Sequence, residues 1–290
     1  VCVTLIIERS RYEGVKGMSF NYQATELGQE TQYPTQYNAQ LLCPLPRLQG
    51  RQDLGLSEDL PFKGVDIWHN YEASWLNAKG KPQVAIVQLI VPCTSPYLIE
   101  SKSLKLYFNS LNFSRFANRE QYTHQIKADL SAALACSLSV RLLPVEFKYD
   151  LVRLQGTFLD DLDIDCQDYD INPQLLRYAS PSKIVTEQVY SHLLRSNCPV
   201  TNQPDWGSVH IHYTGTAIEH ESLLRYIVSF RQHNDFHEQC VERIFCDIMR
   251  YCQLQQLTVR AYYTRRGGLD INPYRSNFEQ FTLFKRLARQ

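Results

Sequence analysis

The chain has no excess of either charge: 30 Lys and Arg balance 30 Asp and Glu over 290 residues. A polyanion-binding protein usually carries a basic excess, so no stable nucleic-acid partner is expected. It also lacks an apolar run near the ~20 residues that span a bilayer. The stretch Val84–Val91 is only strand-length, and no membrane partner is expected. There is no CxxC pair and no dense cysteine framework. The nine cysteines, at positions 2, 43, 93, 136, 166, 198, 240, 246 and 252, are scattered. An odd, scattered set in a chain of this length indicates reduced thiols and a cytoplasmic protein. The opening Val1–Ile7 is too short and poorly flanked for a signal peptide. Met18 offers an alternative start, so no structure is assigned to residues 1–17.

What is present is a repeat. Ile99-Glu100-Ser101-Lys102-Ser103-Leu104-Lys105-Leu106-Tyr107 returns 119 residues later, with Ile218-Glu219 and Ser222-Leu223-Leu224-Arg225-Tyr226 in the same register. Leu138-Ser139-Val140-Arg141 is answered by Leu257-Thr258-Val259-Arg260 at the same offset. Two copies of one supersecondary unit are fused in one chain.

Residues 18–63 are polar and broken by Pro34, Pro44, Pro46 and Pro61, which reads as an extended arm. Strands are expected at Glu72–Leu76 and Val84–Val91, with a turn at Asn77–Pro82. Leu104, Tyr107, Phe108 and Leu111 fit one helical face, and Tyr122, Ile126, Leu130 and Leu134 fit another. Strand returns at Leu138–Leu143, with a further strand up to Phe158. An acidic connector from Asp160 through Pro173 to Pro181 separates the halves. The second half repeats the order, with strands at Val185–Leu194 and Ser208–Tyr213 and helices at Ser222–Phe230 and Phe236–Tyr251. Its last strands are Thr258–Tyr263 and Ile271–Tyr274, joined by Gly267-Gly268. The expected fold is α+β: two tandem ββααββ units paired edge to edge, with antiparallel sheets and the helices on one face. The boundaries are an arm at 1–63, a first unit at 64–160, a linker at 161–181 and a second unit at 182–290.

The copies differ where chemistry is expected. The turn Ser196-Asn197-Cys198-Pro199 with Asp205 places Ala78 opposite Cys198 in the first copy. Phe236-His237-Glu238 aligns without gaps to Ala117-Asn118-Arg119, and Glu219-His220-Glu221 to Glu100-Ser101-Lys102. Each copy has lost what the other kept, as expected of one site assembled from both. Cys198 has the bland alternative of a small core residue, but its turn is polar. An ordinary thiol, with a pKa near ~8.5, is only slightly ionised at neutral pH and needs a helper. Asp205 is the candidate proton donor. Asp235 and Glu238 have the spacing of a capping box, with Asp235 as N-cap. Lys102 and Lys105 suit a solvated face, and Arg265-Arg266-Gly267-Gly268 suits a turn whose backbone N–H groups can meet a phosphate. His210 and His212 share a strand face without a third ligand, so no metal site is assigned.

Together Glu100–Tyr107, Ser196–Pro199 with Asp205, and Phe236–Cys240 resemble the signature and catalytic segments of the QueF family. These are NADPH-dependent 7-cyano-7-deazaguanine nitrile reductases of queuosine biosynthesis. The resemblance runs from about residue 18 and is to the two-module form, which implies tunnelling-fold units and a homodimer. It implies Cys198 as the nucleophile that forms a thioimide, Asp205 as proton donor, and His237 assisting proton transfer. It implies Ile99, Glu100, Ser101, Phe236, His237 and Glu238 as the substrate grip, and Ser101, Lys102, Arg266 and Gly267 as NADPH contacts. Two alternatives stand beside it: a zinc cyclohydrolase with Cys198, His237 and Cys240 as ligands, and a non-catalytic purine-binding module.

Overall fold

A computed structural model describes residues 33–290, apart from Leu283 and the side chains of residues 180–182. The expectations for residues 1–17, for Met18 and for the start of the arm lie outside the described residues. In chain order the elements are β1 (Pro44–Pro46), α1 (Arg47–Gln52), β2 (Lys63–Leu76), β3 (Pro82–Pro92), β4 (Tyr97–Ile99), α2 (Ser101–Ser110) and α3 (Arg119–Leu134). They continue with β5 (Ser139–Leu143), β6 (Thr157–Phe158), β7 (Tyr178–Ser191), β8 (Arg195–Asn197) and β9 (Pro204–Ile218). The last are α4 (His220–Ser229), α5 (His237–Cys252), β10 (Leu254–Tyr263) and β11 (Leu269–Ser276).

One sheet carries both units, in the order β5-β3-β2-β11-β10-β9-β7-β6, with β8 beside β9. The units meet where β2 pairs antiparallel with β11, placing Trp68 directly across from Ile271. Along β2 the side chains alternate between two covered faces. Trp68 packs into the core beneath α2 and α3, while Ile67 packs on the other face with Tyr274, Phe284 and Leu287. Tyr122, Ile126, Leu130 and Leu134 recur every four residues and all point inward, which makes α3 a helix that covers the sheet. The second unit builds its own core from Val209, Ile211, Tyr213, Leu223, Ile244 and Phe245.

The repeat extends to the hydrogen bonds. Tyr107 Oη donates to Asp129 at 2.6 Å, and Tyr226 Oη to Asp247 at 2.7 Å. Cys43 N donates to Ser103 Oγ and Arg177 N to Ser222 Oγ, both at 3.0 Å. The turns at Ala39–Leu41 and Pro173–Leu175 are each capped by an Asn, Asn38 and Asn172. Within its described part, the segment expected as an extended arm therefore contains this turn, β1 and α1. Its prolines are tolerated because β1 is a three-residue strand at an edge and Pro46 precedes the helix.

Two details depart from expectation. The second helix of each unit is displaced by 118 residues, not 119, because N-caps Asn118 and Phe236 and left-handed C-caps Ala135 and Gln253 correspond. Phe236-His237-Glu238 therefore stands opposite Asn118-Arg119-Glu120; a one-residue-shorter helix–helix connection in the second unit shifts the ungapped alignment. The strand ending at Phe158 also lies elsewhere: β6 pairs in parallel with β7 at the far edge. Residues 144–156 begin with Pro144 and form no strand despite the alternation of Val145, Phe147, Tyr149 and Leu151 with charged residues, so β5 ends the row.

Candidate active site

Backbone hydrogen bonds stitch the Cys198 turn to the start of α5. Cys198 N donates to Gln203 O at 2.8 Å and Asn202 N to Cys198 O at 3.0 Å, closing a turn in which Asn202 is left-handed. Asn197 N then donates to His233 O at 2.7 Å, and Asp235 N to Asn197 O at 3.1 Å. A chain segment some forty residues downstream is thereby held against the cysteine. Asp205 sits on β9 across from Ser196 of β8, so a short ladder fixes it beside the same turn.

The resulting cleft, at the seam between β2 and β11, is lined by Ile99, Glu100, Ser101, Cys198, Asp205, Phe236, His237, Glu238 and Arg266. Lys102 and Gly267 are not in its wall; Gly267 sits in the turn where Lys105 Nζ would lie 3.2 Å from an added Cβ. Sequence reasoning missed Trp68, Ile271, Pro199 and Asp235, which also line it. The first two are a cross-strand pair, and only the register between units brings them together. Tyr263 was missed as well: its ring stacks on His237 at 3.8 Å and 13° and holds the imidazole flat.

His237 Nε2 lies 3.4 Å from Asp205 Oδ2, and Arg266 Nη1 lies 2.9 Å from Asp205 Oδ1. The carboxylate thus has an imidazole on one oxygen and a guanidinium on the other. Cys198 is buried, at 8% exposed, and lines the cleft without belonging to the packed core of its unit. Cys240, one turn into α5, is fully buried, and its thiol is pushed well up by that burial and then by Asp235. Among the described residues no group of three or more His, Cys, Asp or Glu side chains can hold a metal ion. Cys198, His237 and Cys240 are accordingly not arranged as a ligand set.

The two glutamates differ in what occupies them. Glu100 caps α2, accepting from Lys102 N at 2.8 Å and Ser103 N at 2.6 Å. Burial still raises its carboxyl above the usual range against these two bonds. Its counterpart Glu219 is exposed and caps nothing. Glu238 was expected to share a capping box with Asp235, and it does not. The N-cap is Phe236, and Gln239 Oε1 accepts from the Phe236 N–H at 3.4 Å. Asp235 lies one residue too early and accepts from the same N–H at 2.9 Å. Glu238 is thus buried without a capping role, and its Oε1 has no partner. Burial, then the charge of Asp66, pushes its carboxyl up to about 8. An unpartnered buried carboxyl facing a cleft is costly unless a ligand pairs it.

Behind Glu238 runs a buried ion network that no local pattern announces. Asp66 on β2 meets Arg47 at 2.6 Å and Arg275 at 2.8 Å. Arg275 also meets Glu242 at 2.9 Å, and Glu242 meets Arg51 at 2.7 Å. The network ties α1, both central strands and α5 together directly beneath the site.

Two repeated units sharing one sheet, antiparallel throughout except at β6, with a thiol, carboxyl and imidazole at their seam, define a tandem tunnelling-fold enzyme with its cleft between units. Comparison with known proteins narrows the class. The family model described as "Nitrile reductase, 7-cyano-7-deazaguanine-reductase N-term" matches residues 33–142, and the one described as "QueF-like protein" matches residues 204–281. A protein of Burkholderia ambifaria strain AMMD named NADPH-dependent 7-cyano-7-deazaguanine reductase is 53% identical over 90% of this chain and 96% of its own length. The protein of the same name in strain MC40-6 is 52% identical over the same shares. The chain belongs to the 7-cyano-7-deazaguanine reductase (QueF) family.

Proposed function

We propose that this chain reduces the nitrile of 7-cyano-7-deazaguanine to the aminomethyl base with NADPH, in queuosine biosynthesis, through a thioimide on Cys198. The observation that carries this reading is the convergence of Cys198, Asp205, His237 and Glu238 on one cleft. A nitrile is a poor hydride acceptor, and addition of a thiolate converts it to a more reactive C=N bond. In the proposed first step the Cys198 sulfur bonds to the nitrile carbon as one π bond of the C≡N group opens, and the proton that the thiol gives up reaches the nitrile nitrogen by way of Asp205. His237, at Asp205 Oδ2 and held by Tyr263, relays protons to the same carboxyl. Glu238 accepts from the ring N–H donors, which supplies the partner its Oε1 lacks. Phe236 and the Trp68–Ile271 pair enclose the flat base, with Ile99, Glu100 and Ser101 opposite.

NADPH supplies the two hydrides that reduction from nitrile to amine requires. The residues present suit a phosphate-bearing cofactor. Arg266 Nη1 is a buried donor that meets Asp205 Oδ1 at ion-pair distance but outside hydrogen-bond geometry, which leaves it hydrogen-bonding capacity for a phosphate oxygen. Gly267 and Gly268, both at positive φ, keep their turn free of side chains beside Lys105. Ser101, Lys102, Arg266 and Gly267 are the proposed contacts.

The proposed division is one arm, two units and a linker as read from the sequence, with one site per chain. A homodimer is proposed because β5 ends the sheet with an open edge. A cytoplasmic location fits the eight described cysteines, all unpaired. No described helix is long and apolar enough to cross a membrane.

The test is stoichiometric. NADPH oxidation should depend on the nitrile and consume two NADPH per amine formed. Oxidation without nitrile, or one NADPH per product, would overturn the reading.

A further inference from the structure

Arg266 carries two demands that compete. Its guanidinium lies 2.9 Å from Asp205 Oδ1, yet Nη1 makes no hydrogen bond of acceptable geometry. The contact is coulombic and leaves the donor unsatisfied. The backbone around it is fixed: Arg266 N donates to Leu269 O at 2.9 Å, and Leu269 N returns the bond to Arg266 O at 3.1 Å. The root of the side chain is thereby held in place. Its charge also reaches Glu100, across the cleft on the other unit. Asp205 is nearly buried and Arg266 is about one-third exposed, so the pair lies where the cleft opens to solvent.

We propose that Arg266 is shared between Asp205 and the cofactor, so that binding of a phosphate-bearing nicotinamide cofactor and release of Asp205 Oδ1 are one event. This rests on the reductase reading above. Without cofactor, Asp205 is clamped by Arg266 on one oxygen and His237 on the other. A cofactor phosphate satisfies the orphaned Nη1, draws the guanidinium away and leaves Oδ1 free toward the substrate nitrogen. No bond is made or broken in the exchange; one ion pair replaces another. Arg266 is thus a positioning residue for Asp205 as well as a cofactor contact.

Linkage makes the proposal testable by binding alone. If Asp205 competes for Arg266, removing its charge must strengthen cofactor binding. NADP+ is titrated calorimetrically into the full chain and into Asp205→Asn, Arg266→Gln and the double variant, with Asp205→Ser as a second replacement. Asp205→Asn should tighten NADP+ by about three- to tenfold, the span of a partly buried ion pair. In the Arg266→Gln background the same change should alter the affinity less than twofold. Equal tightening in both backgrounds would mean a general field effect and overturns the sharing, as does no tightening in either. A wild-type chain that binds no NADP+ overturns this proposal and the reductase reading together. Intact NADP+ binding and nitrile adduct without coupling overturns the sharing alone.

Discussion

Replacing Glu238 with Gln should make the protein more stable, and increasingly so as the pH rises. Glu238 is 2% exposed, lacks a partner for Oε1 and lies within the field of Asp66. These raise its carboxyl from an ordinary 4.5 to about 8. The folded chain therefore holds a proton that the unfolded chain has released between these values. The stability this group contributes is fully present below pH 4.5 and is lost as pH rises through about 8. At ~1.4 kcal/mol per pH unit the span sets a ceiling of about 5 kcal/mol on the loss. Gln keeps the shape and cannot ionise, so this loss is absent in the variant. Urea midpoints of the two proteins, measured at pH 6, 7.5 and 9 and one protein concentration, should diverge with pH in favour of Glu238→Gln. Parallel curves, or a variant weakened more at pH 9 than at pH 6, would refute the placement of a costly carboxyl there. The variant should also bind the deazaguanine poorly, so that the residue trades stability for recognition.

Three further outcomes follow from the same geometry. Arg275→Leu leaves Asp66 and Glu242 without their shared cation and should cost about 3–5 kcal/mol in urea unfolding; a loss under about 1 would show that the network is not integral. Calorimetric titration of Cys198→Ala with the nitrile substrate should saturate near one site per chain. Glu120 repeats Glu238 in the first copy, but Asn118 and Arg119 replace Phe236 and His237; two sites would contradict the division of labour. Lys102→Ala should raise the NADPH KM by roughly tenfold or more, the worth of one charge-assisted contact. An unchanged KM would return Lys102 to an ordinary helix surface.

Much of this fold was legible because its signals are local. Leu104, Tyr107 and Leu111, like Tyr122, Ile126, Leu130 and Leu134, mark helical faces within a few turns, and the helices lie over them. The repeat exposed the two-unit plan because both copies bury the same side chains, as the Tyr107–Asp129 and Tyr226–Asp247 bonds show. What could not be read depends on three-dimensional register. The 118-residue offset of α5 turns on the length of one connection, and the apparent capping box at Asp235 moved by one residue for want of a local signal to choose Phe236. The Trp68–Ile271 wall and the Arg47–Asp66–Arg275–Glu242–Arg51 network join residues up to 209 positions apart. The contact between Arg266 and Asp205 belongs to the same class, since a turn and a strand become neighbours only once the sheet is assembled.

The most direct test of the central claim is intact-protein mass spectrometry after mixing the chain with 7-cyano-7-deazaguanine and NADP+, which carries the cofactor phosphates but cannot reduce the adduct. Thiolate addition expels nothing, so the mass should rise by the full mass of the substrate, once per chain, and peptide mapping should place it on Cys198. Cys198→Ala should show no increase while still binding the base. No added mass on the wild-type chain, or an adduct that survives in Cys198→Ala, would contradict the account.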